Sequence, residues 1–317
     1  MKALVTGAAG FVGSRLSETL LEAGHDVVGV DCFLDYYARD IKERNLDAAR
    51  ASKRYRFVEA SLVDADLRSL LDGVDTVFHQ AAQAGVRASW GEDFRIYSDN
   101  NVYATQRLLE ACRERPLVKF VYASSSSVYG DTEDLPMRET SPTRPVSPYG
   151  VTKLAAEHLV WLYWKNYGIP TVSLRYFTVY GPRQRPDMAF HRFIRAVLED
   201  REIRLFGDGT QSRDFTFVDD IVAANVAAAE SDASGRVYNI GGGSRRTVND
   251  VIATIGELVG RAPRVDRQEV QKGDVRHTAA DTSAARADLG YAPGVDLREG
   301  IGREVDWVKE LLGSERK

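Results

Sequence analysis

Lys2-Ala3-Leu4-Val5-Thr6-Gly7-Ala8-Ala9-Gly10-Phe11-Val12-Gly13 is the stretch that decides the fold. Lys2 to Thr6 reads as a short apolar strand. Val12, Leu16 and Leu20 then recur at helical spacing, and Gly24 ends the helix. The three glycines therefore fall between a strand and a helix. Gly7 permits a tight turn, Gly10 lets a pyrophosphate approach the backbone, and Gly13 allows helix and strand to pack closely. The N–H groups at the helix start, from Phe11 and Val12 onward, face the phosphates. Elsewhere such a turn is only a tight βα loop; here, at the chain start, it reads as a dinucleotide site.

The alternation continues outward. A second strand, Asp26–Val30, ends at Asp31, where a carboxylate meets ribose hydroxyls and repels a 2′-phosphate. Cys32 and Phe33 offer no cation in exchange, so NAD is expected rather than NADP. The polar stretch 35–53 is expected to hold one short helix. Further strands are read at Tyr55–Val58, Val74–Phe78, Leu117–Ala123 and Pro170–Tyr176, with a long helix from Phe94 to Arg113. The class is α/β: a Rossmann-like, doubly wound parallel sheet with a smaller C-terminal substrate-binding lobe. Residues 1–180 are expected to form the NAD-binding domain and residues 181–317 the smaller lobe. Residues 215–240 are expected to return to the first.

The 317 residues carry 42 Lys and Arg against 46 Asp and Glu, a net charge of -4 that argues against a nucleic-acid partner. No apolar run reaches the roughly 18–20 residues of a membrane span. Met1-Lys2 leads straight into a strand, leaving no room for a secretory leader, and Cys32 and Cys112 read as buried thiols. A cytoplasmic protein is expected, with no metal site.

Ser147-Pro148-Tyr149-Gly150-Val151-Thr152-Lys153 carries the chemistry. Pro148 discourages helix before it, and helix begins at about Tyr149. Tyr149 and Lys153 then share a face one turn apart. Of fourteen tyrosines, only Tyr149 has a lysine four residues on. A phenol is a poor base at neutral pH; a nearby ammonium is expected to lower its pKa and make it a general base toward an alcohol. Taken alone, a Tyr and a Lys on one helix face are ordinary surface residues. Other elements join them. His79 reads as a structural histidine at a strand end, followed by the small residues of Gln80-Ala81-Ala82-Gln83-Ala84-Gly85-Val86-Arg87. Ser124-Ser125-Ser126-Ser127 offers four hydroxyls at a strand end. Arg183, Arg185, Arg192, Arg195, Arg213 and Arg276 lie in the second half, and two or three are expected to grip an anionic substrate.

In this order, the elements resemble an extended short-chain dehydrogenase/reductase of the nucleotide-sugar epimerase type. They are most similar to its UDP-glucuronate 4-epimerase branch, through Ala82 to Arg87 and through Phe177-Thr178-Val179-Tyr180-Gly181-Pro182 to Arg185-Pro186-Asp187-Met188. The resemblance spans nearly the whole chain. It implies Tyr149 as base, Lys153 as its electrostatic partner and ribose contact, and Ser125 as the hydroxyl on the reacting oxygen. It implies cofactor contacts from Gly7, Gly10, Phe11, Val12, Gly13, Asp31, Leu62, Gln80, Ala81, Ala82, Asn101 and Tyr176. Ser61 stands where many relatives place an Asp near the adenine, which puts that contact in doubt. Ser126, Ser127, Thr178 and Arg185 would hold the sugar carboxylate. Gly85, Arg87, Met188, Arg213, Asp274 and Arg276 would meet the rest of a UDP-sugar. The implied reaction interconverts UDP-glucuronate and UDP-galacturonate with tightly bound NAD, in a homodimer. Alternatives are a UDP-glucose 4-epimerase, a UDP-glucuronate decarboxylase and a non-catalytic NAD-binding regulatory protein. Decarboxylating relatives usually carry a glutamate at the position of Ser127, and 4,6-dehydratases an Asp-Glu pair at Ser126-Ser127.

Overall fold

The computed structural model describes residues 1–243, 245–269 and 273–315. Seven parallel strands form one sheet among them: β1 (Lys2–Thr6), β2 (Asp26–Asp31), β3 (Tyr55–Glu59), β4 (Thr76–His79), β5 (Lys119–Ser125), β6 (Thr171–Tyr176) and, later in the chain, β11 (Arg236–Ile240). Their order is β11-β6-β5-β4-β1-β2-β3. The chain winds from β1 outward to β3, then crosses back to place β4 on the other side of β1. Thr6 lies opposite Val30 in β2 and opposite His79 in β4. The reversal therefore opens a crevice beyond the ends of β1 and β4, where open parallel sheets bind ligands.

Every residue of β5 is buried, as expected of a strand covered on both faces. On one face, helices Phe11–Glu22 and Val218–Glu230 pack Leu16, Leu20, Ile221 and Ala224 onto the sheet. On the other, helices Ala104–Cys112 and Pro148–Tyr167 contribute Leu108, Leu109, Val160 and Tyr163. A third apolar cluster gathers Phe190, Ile194, Phe215, Ile255, Val305 and Val308 from helices Ala189–Leu198, Val248–Val259 and Leu297–Glu315 and the segments between. Short pairs flank it: β7 (Val179–Tyr180) with β10 (Thr216–Phe217), β8 (Ile203–Phe206) with β13 (Val265–Gln268), and β9 (Ser212–Asp214) with β12 (Arg245–Thr247). β11 joins β6 with Ile240 opposite Tyr176.

Local chemistry sets the helix ends. The Ser147 hydroxyl accepts from Gly150 N at 3.1 Å, and Pro148 takes the first helical position, where its missing N–H costs nothing. Gly168, at φ 71°, closes that helix. The structure corrects several sequence boundaries. β5 runs through Ser125, so the first two serines belong to a strand and not to a loop. Stretch 35–53 holds two short helices, Arg39–Asn45 and Asp47–Arg50. The expected long helix over Phe94–Arg113 contains a π-helical segment, Ser98–Tyr103. The widened turn aims Asn101 inward. Its Oδ1 accepts from Gln83 N at 2.7 Å and its Nδ2 donates to Thr152 Oγ1 at 2.9 Å.

Candidate active site

A cavity of about 770 Å³ runs along the C-terminal edge of the sheet. The glycine turn forms one end. Gly7 has φ 68°, and a Cβ there would stand 2.9 Å from the Ala81 backbone. A Cβ on Gly13 would run into the Gly7 carbonyl oxygen. Only glycine fits either position, so the first helical N–H groups, which lack intrahelical partners, stay open to a ligand. Asp31 ends β2 with its carboxylate fixed by Ala9 N at 3.1 Å and Phe33 N at 2.9 Å. Burial pushes the Asp31 carboxyl up, against the pull of those two N–H groups and of Lys42. This cradle and carboxylate fit a dinucleotide. The absence of a cation at Cys32 and Phe33 does not extend to the space around them. Lys42, eleven residues after Asp31, donates to Leu34 O and lines the cavity with Tyr36 and Tyr37. Cys32 is half-buried and lines it too, whereas Cys112 is buried as expected.

Tyr149, Lys153 and Ser125 all line this cavity, and Ser125 is hydrogen-bonded to the Tyr149 phenol. Burial pushes the Tyr149 phenol up; the hydrogen-bonded Ser125 hydroxyl and the charge of Arg185 pull it down. Lys153 follows one turn along the same helix and lines the cavity with the phenol. It is 2% exposed and lies 4.5 Å from the centre of the Tyr122 ring, and burial lowers its pKa to about 7 against the pull of Glu157. Burial opposes the ammonium form, while the ring face and Glu157 favour it.

All four residues of the serine cluster line the cavity, and the Ser124 hydroxyl is already engaged: its Oγ donates to Glu157 Oε2 at 2.6 Å. Ser125 Oγ accepts from Ser127 N at 3.1 Å, and Ser126 and Ser127, on the 3-10 turn Ser126–Val128, line the cavity as do Thr178 and Arg185. The loop carrying Thr178 and Arg185 is fixed at several points. Gly181 N donates to the buried Glu304 Oε2 at 2.7 Å. Gln184 Nε2 donates to Val179 O, and Arg183 pairs with Glu18 on the first helix at 2.8 Å. At the far end Arg213 lines the cavity, its guanidinium oriented by the carbonyls of Ser212, Val275 and Arg276. Arg87 pairs with Asp274 at 2.6 Å and lies over the Phe206 ring at 4.2 Å.

The cavity also takes in Gly10, Phe11, Val12, Leu62, Gln80, Ala81, Ala82, Gly85, Tyr176 and Met188. Three expected residues do not line it. Ser61 turns its hydroxyl to Val63 N at 3.2 Å, Asn101 stands behind the wall, and Arg276 is tied through its backbone N to Asp131 at 3.0 Å. Arg183 and Arg195 are held by Glu18 and Glu199. Sequence reasoning missed Tyr36, Tyr37 and Lys42, for which Asp35-Tyr36-Tyr37 before a helix was the only signal. It also missed Arg204 and Phe206 on β8.

His79 is structural, as expected. Its ring lies between the Thr6 and Thr105 hydroxyls at 2.8 Å each, and burial lowers its pKa to about 3. An unfolded chain takes up this proton near 6.5 and the folded chain near 3, so the unfolded state binds more protons between them. Stability from a neutral His79 is complete above about 6.5 and is lost as the pH falls toward 3. The Tm of His79→Gln is expected to fall less steeply than wild type across that window. Parallel Tm-against-pH curves would contradict this.

Residues 3–241 match the model of the NAD dependent epimerase/dehydratase family. A Bacillus subtilis protein named as an uncharacterized UDP-glucose epimerase, YtcB, is 46% identical over 99% of this chain and 100% of its own. The UDP-glucuronate 4-epimerase of Thermodesulfobacterium geofontis is 38% identical over 98% of this chain and 96% of its own. The crystal structure of UDP-glucuronic acid 4-epimerase from Bacillus cereus, with UDP-glucuronic acid and NAD, superposes with a TM-score of 0.96. It is 46% identical and covers 98% of this chain and 100% of that one.

Proposed function

This chain belongs to the NAD dependent epimerase/dehydratase family, and on that premise we propose that it interconverts UDP-glucuronate and UDP-galacturonate at C4. The observation that carries the proposal is one cavity whose lining brings together Tyr149, Arg185, Ser126, Ser127 and Thr178, with Arg185 close enough to act on the phenol. A phenol is placed for the sugar alcohol, and a cation with three hydroxyls for its carboxylate.

When bound, NAD supplies the hydride acceptor that makes the C4 alcohol a ketone and then returns the hydride. The residues do the rest. Tyr149 takes the 4-OH proton and later gives it back, with Ser125 hydrogen-bonded to the same oxygen. Arg213 and Arg87 hold the diphosphate, about which the transient 4-keto sugar turns. Ala82, Gly85 and the serines leave the turning space. A 4-keto glucuronate is a β-keto acid, which loses CO₂ when its carboxylate bond stands perpendicular to the carbonyl. Ser126, Ser127, Thr178 and Arg185 hold the carboxylate away from that geometry. Purified protein incubated with UDP-glucuronate is expected to give UDP-galacturonate, read by proton NMR. Stoichiometric CO₂ and a UDP-pentose would indicate a decarboxylase instead, and faster turnover of UDP-glucose a neutral-sugar epimerase.

Two further features support a homodimer. Ile96 and Tyr103 lie exposed on the helical segment 94–112, and Val151, Trp161, Leu162 and Tyr167 on the helix Pro148–Tyr167. Large apolar residues on two neighbouring helices fit burial by a second copy. The free thiols of Cys32 and Cys112 fit a reducing cytoplasm.

A further inference from the structure

Arg185 is gripped from one side only. Its Nε donates to Asp187 Oδ1 and its Nη2 to Asp187 Oδ2, both at 3.0 Å, while no hydrogen bond from Nη1 is found among the described residues. A surface Arg–Asp pair ordinarily contributes little. This one is bidentate, and the arginine side chain is only 19% exposed, in the wall of the cavity beside Tyr149. A third residue joins from a distant loop: Tyr36 Oη donates to Asp187 Oδ2 at 3.3 Å. The loop that carries it is sharply folded. Phe33 has φ 49°, and Tyr36 N donates to Leu34 O at 2.8 Å. The Tyr36 hydroxyl occupies the place a Cβ on Gly85 would take, so the glycine leaves room for this contact.

We propose that Asp187, braced by Tyr36, is the positioning residue for acid-sugar selection: it occupies the Nε edge of Arg185 and leaves the Nη1 edge for the substrate carboxylate. A planar guanidinium binds one carboxylate per edge, so the residue on one edge fixes where the other points. The loop after β2 and the loop after β7 are thereby joined across the cavity, and selection of the sugar rests on both. The inference rests on the proposed acid-sugar function.

Calorimetric titration of the NAD-loaded protein with UDP, UDP-glucose and UDP-glucuronate tests it. Asp187→Ala and Asp187→Asn are expected to weaken UDP-glucuronate about tenfold or more, the scale of a charge-assisted contact, and to leave UDP and UDP-glucose within about twofold. Tyr36→Phe is expected to act in the same direction and less strongly. Equal weakening of all three ligands means a merely structural role and overturns the proposal, as does undiminished preference for UDP-glucuronate in both Asp187 variants. Wild-type protein that binds UDP-glucuronate no better than UDP-glucose overturns the functional reading itself, and this inference with it.

Discussion

Tyr149→Phe is expected to lower turnover of UDP-glucuronate by about 10²- to 10⁴-fold, the range for loss of a positioned acid–base group. Binding of NAD and of UDP-glucuronate should stay within a few-fold of wild type. The phenol ring lies 6.3 Å from Tyr97 in an edge-to-face contact that phenylalanine keeps. The substitution removes one oxygen, and with it the Ser125 hydrogen bond that pulls the phenol down. Turnover at each pH and binding of UDP-glucuronate, measured side by side, check this. Retention of most of the wild-type rate would remove Tyr149 from the chemistry. Because the Ser125 hydrogen bond lowers the Tyr149 pKa, Ser125→Ala should move the acid limb of the rate profile to higher pH.

Glu157→Ala is expected to destabilise the fold by about 3–5 kcal/mol, the cost of leaving a buried charge without its partner. Glu157 stands one turn beyond Lys153 on the same helix and is 4% exposed. Both its oxygens are taken by Arg175, with Nη2 at 2.6 Å to Oε1 and Nε at 3.0 Å to Oε2. Ser124 donates to it as well. Arg175 continues to Tyr129 Oη at 2.7 Å, and Tyr129 donates to Asn239 Oδ1 on β11 at 2.6 Å. One carboxylate thus joins the helix of Tyr149 and Lys153 to β5, β6 and β11. Its loss leaves Arg175 buried and uncompensated. Lys153 also loses the one charge that holds up its pKa. Glu157→Gln, which keeps the shape and part of the hydrogen bonding, should cost less. Denaturant unfolding with the three proteins reads the difference. An unchanged midpoint for Glu157→Ala would contradict the assigned role of this pair.

Much of the fold was legible in the sequence because its signals are local. Lys2 to Gly13 carries strand, turn and helix start within twelve residues, and Gly13 is required by a carbonyl only six residues away. Tyr149 was legible for the same reason: Ser147 and Pro148 set the helix start, and four residues later comes Lys153. What could not be read there depends on residues brought together from afar. Lys153 lies on the ring of Tyr122, Ser124 is claimed by Glu157, and Tyr36 reaches Asp187 across 151 positions of chain. The π-helical segment at Ser98–Tyr103 was invisible because its apolar spacing reads as an ordinary helix. Arginines in the second half looked alike, and only packing separates Arg213 and Arg185 from Arg183, which clamps the first helix.

The most direct measurement runs the reaction on UDP-glucuronate in D₂O and reads C4 of the product by proton NMR. If Tyr149 moves only the proton on oxygen, the hydrogen on carbon never meets solvent, and UDP-galacturonate should form with protium at C4. Solvent deuterium at that carbon would contradict the account.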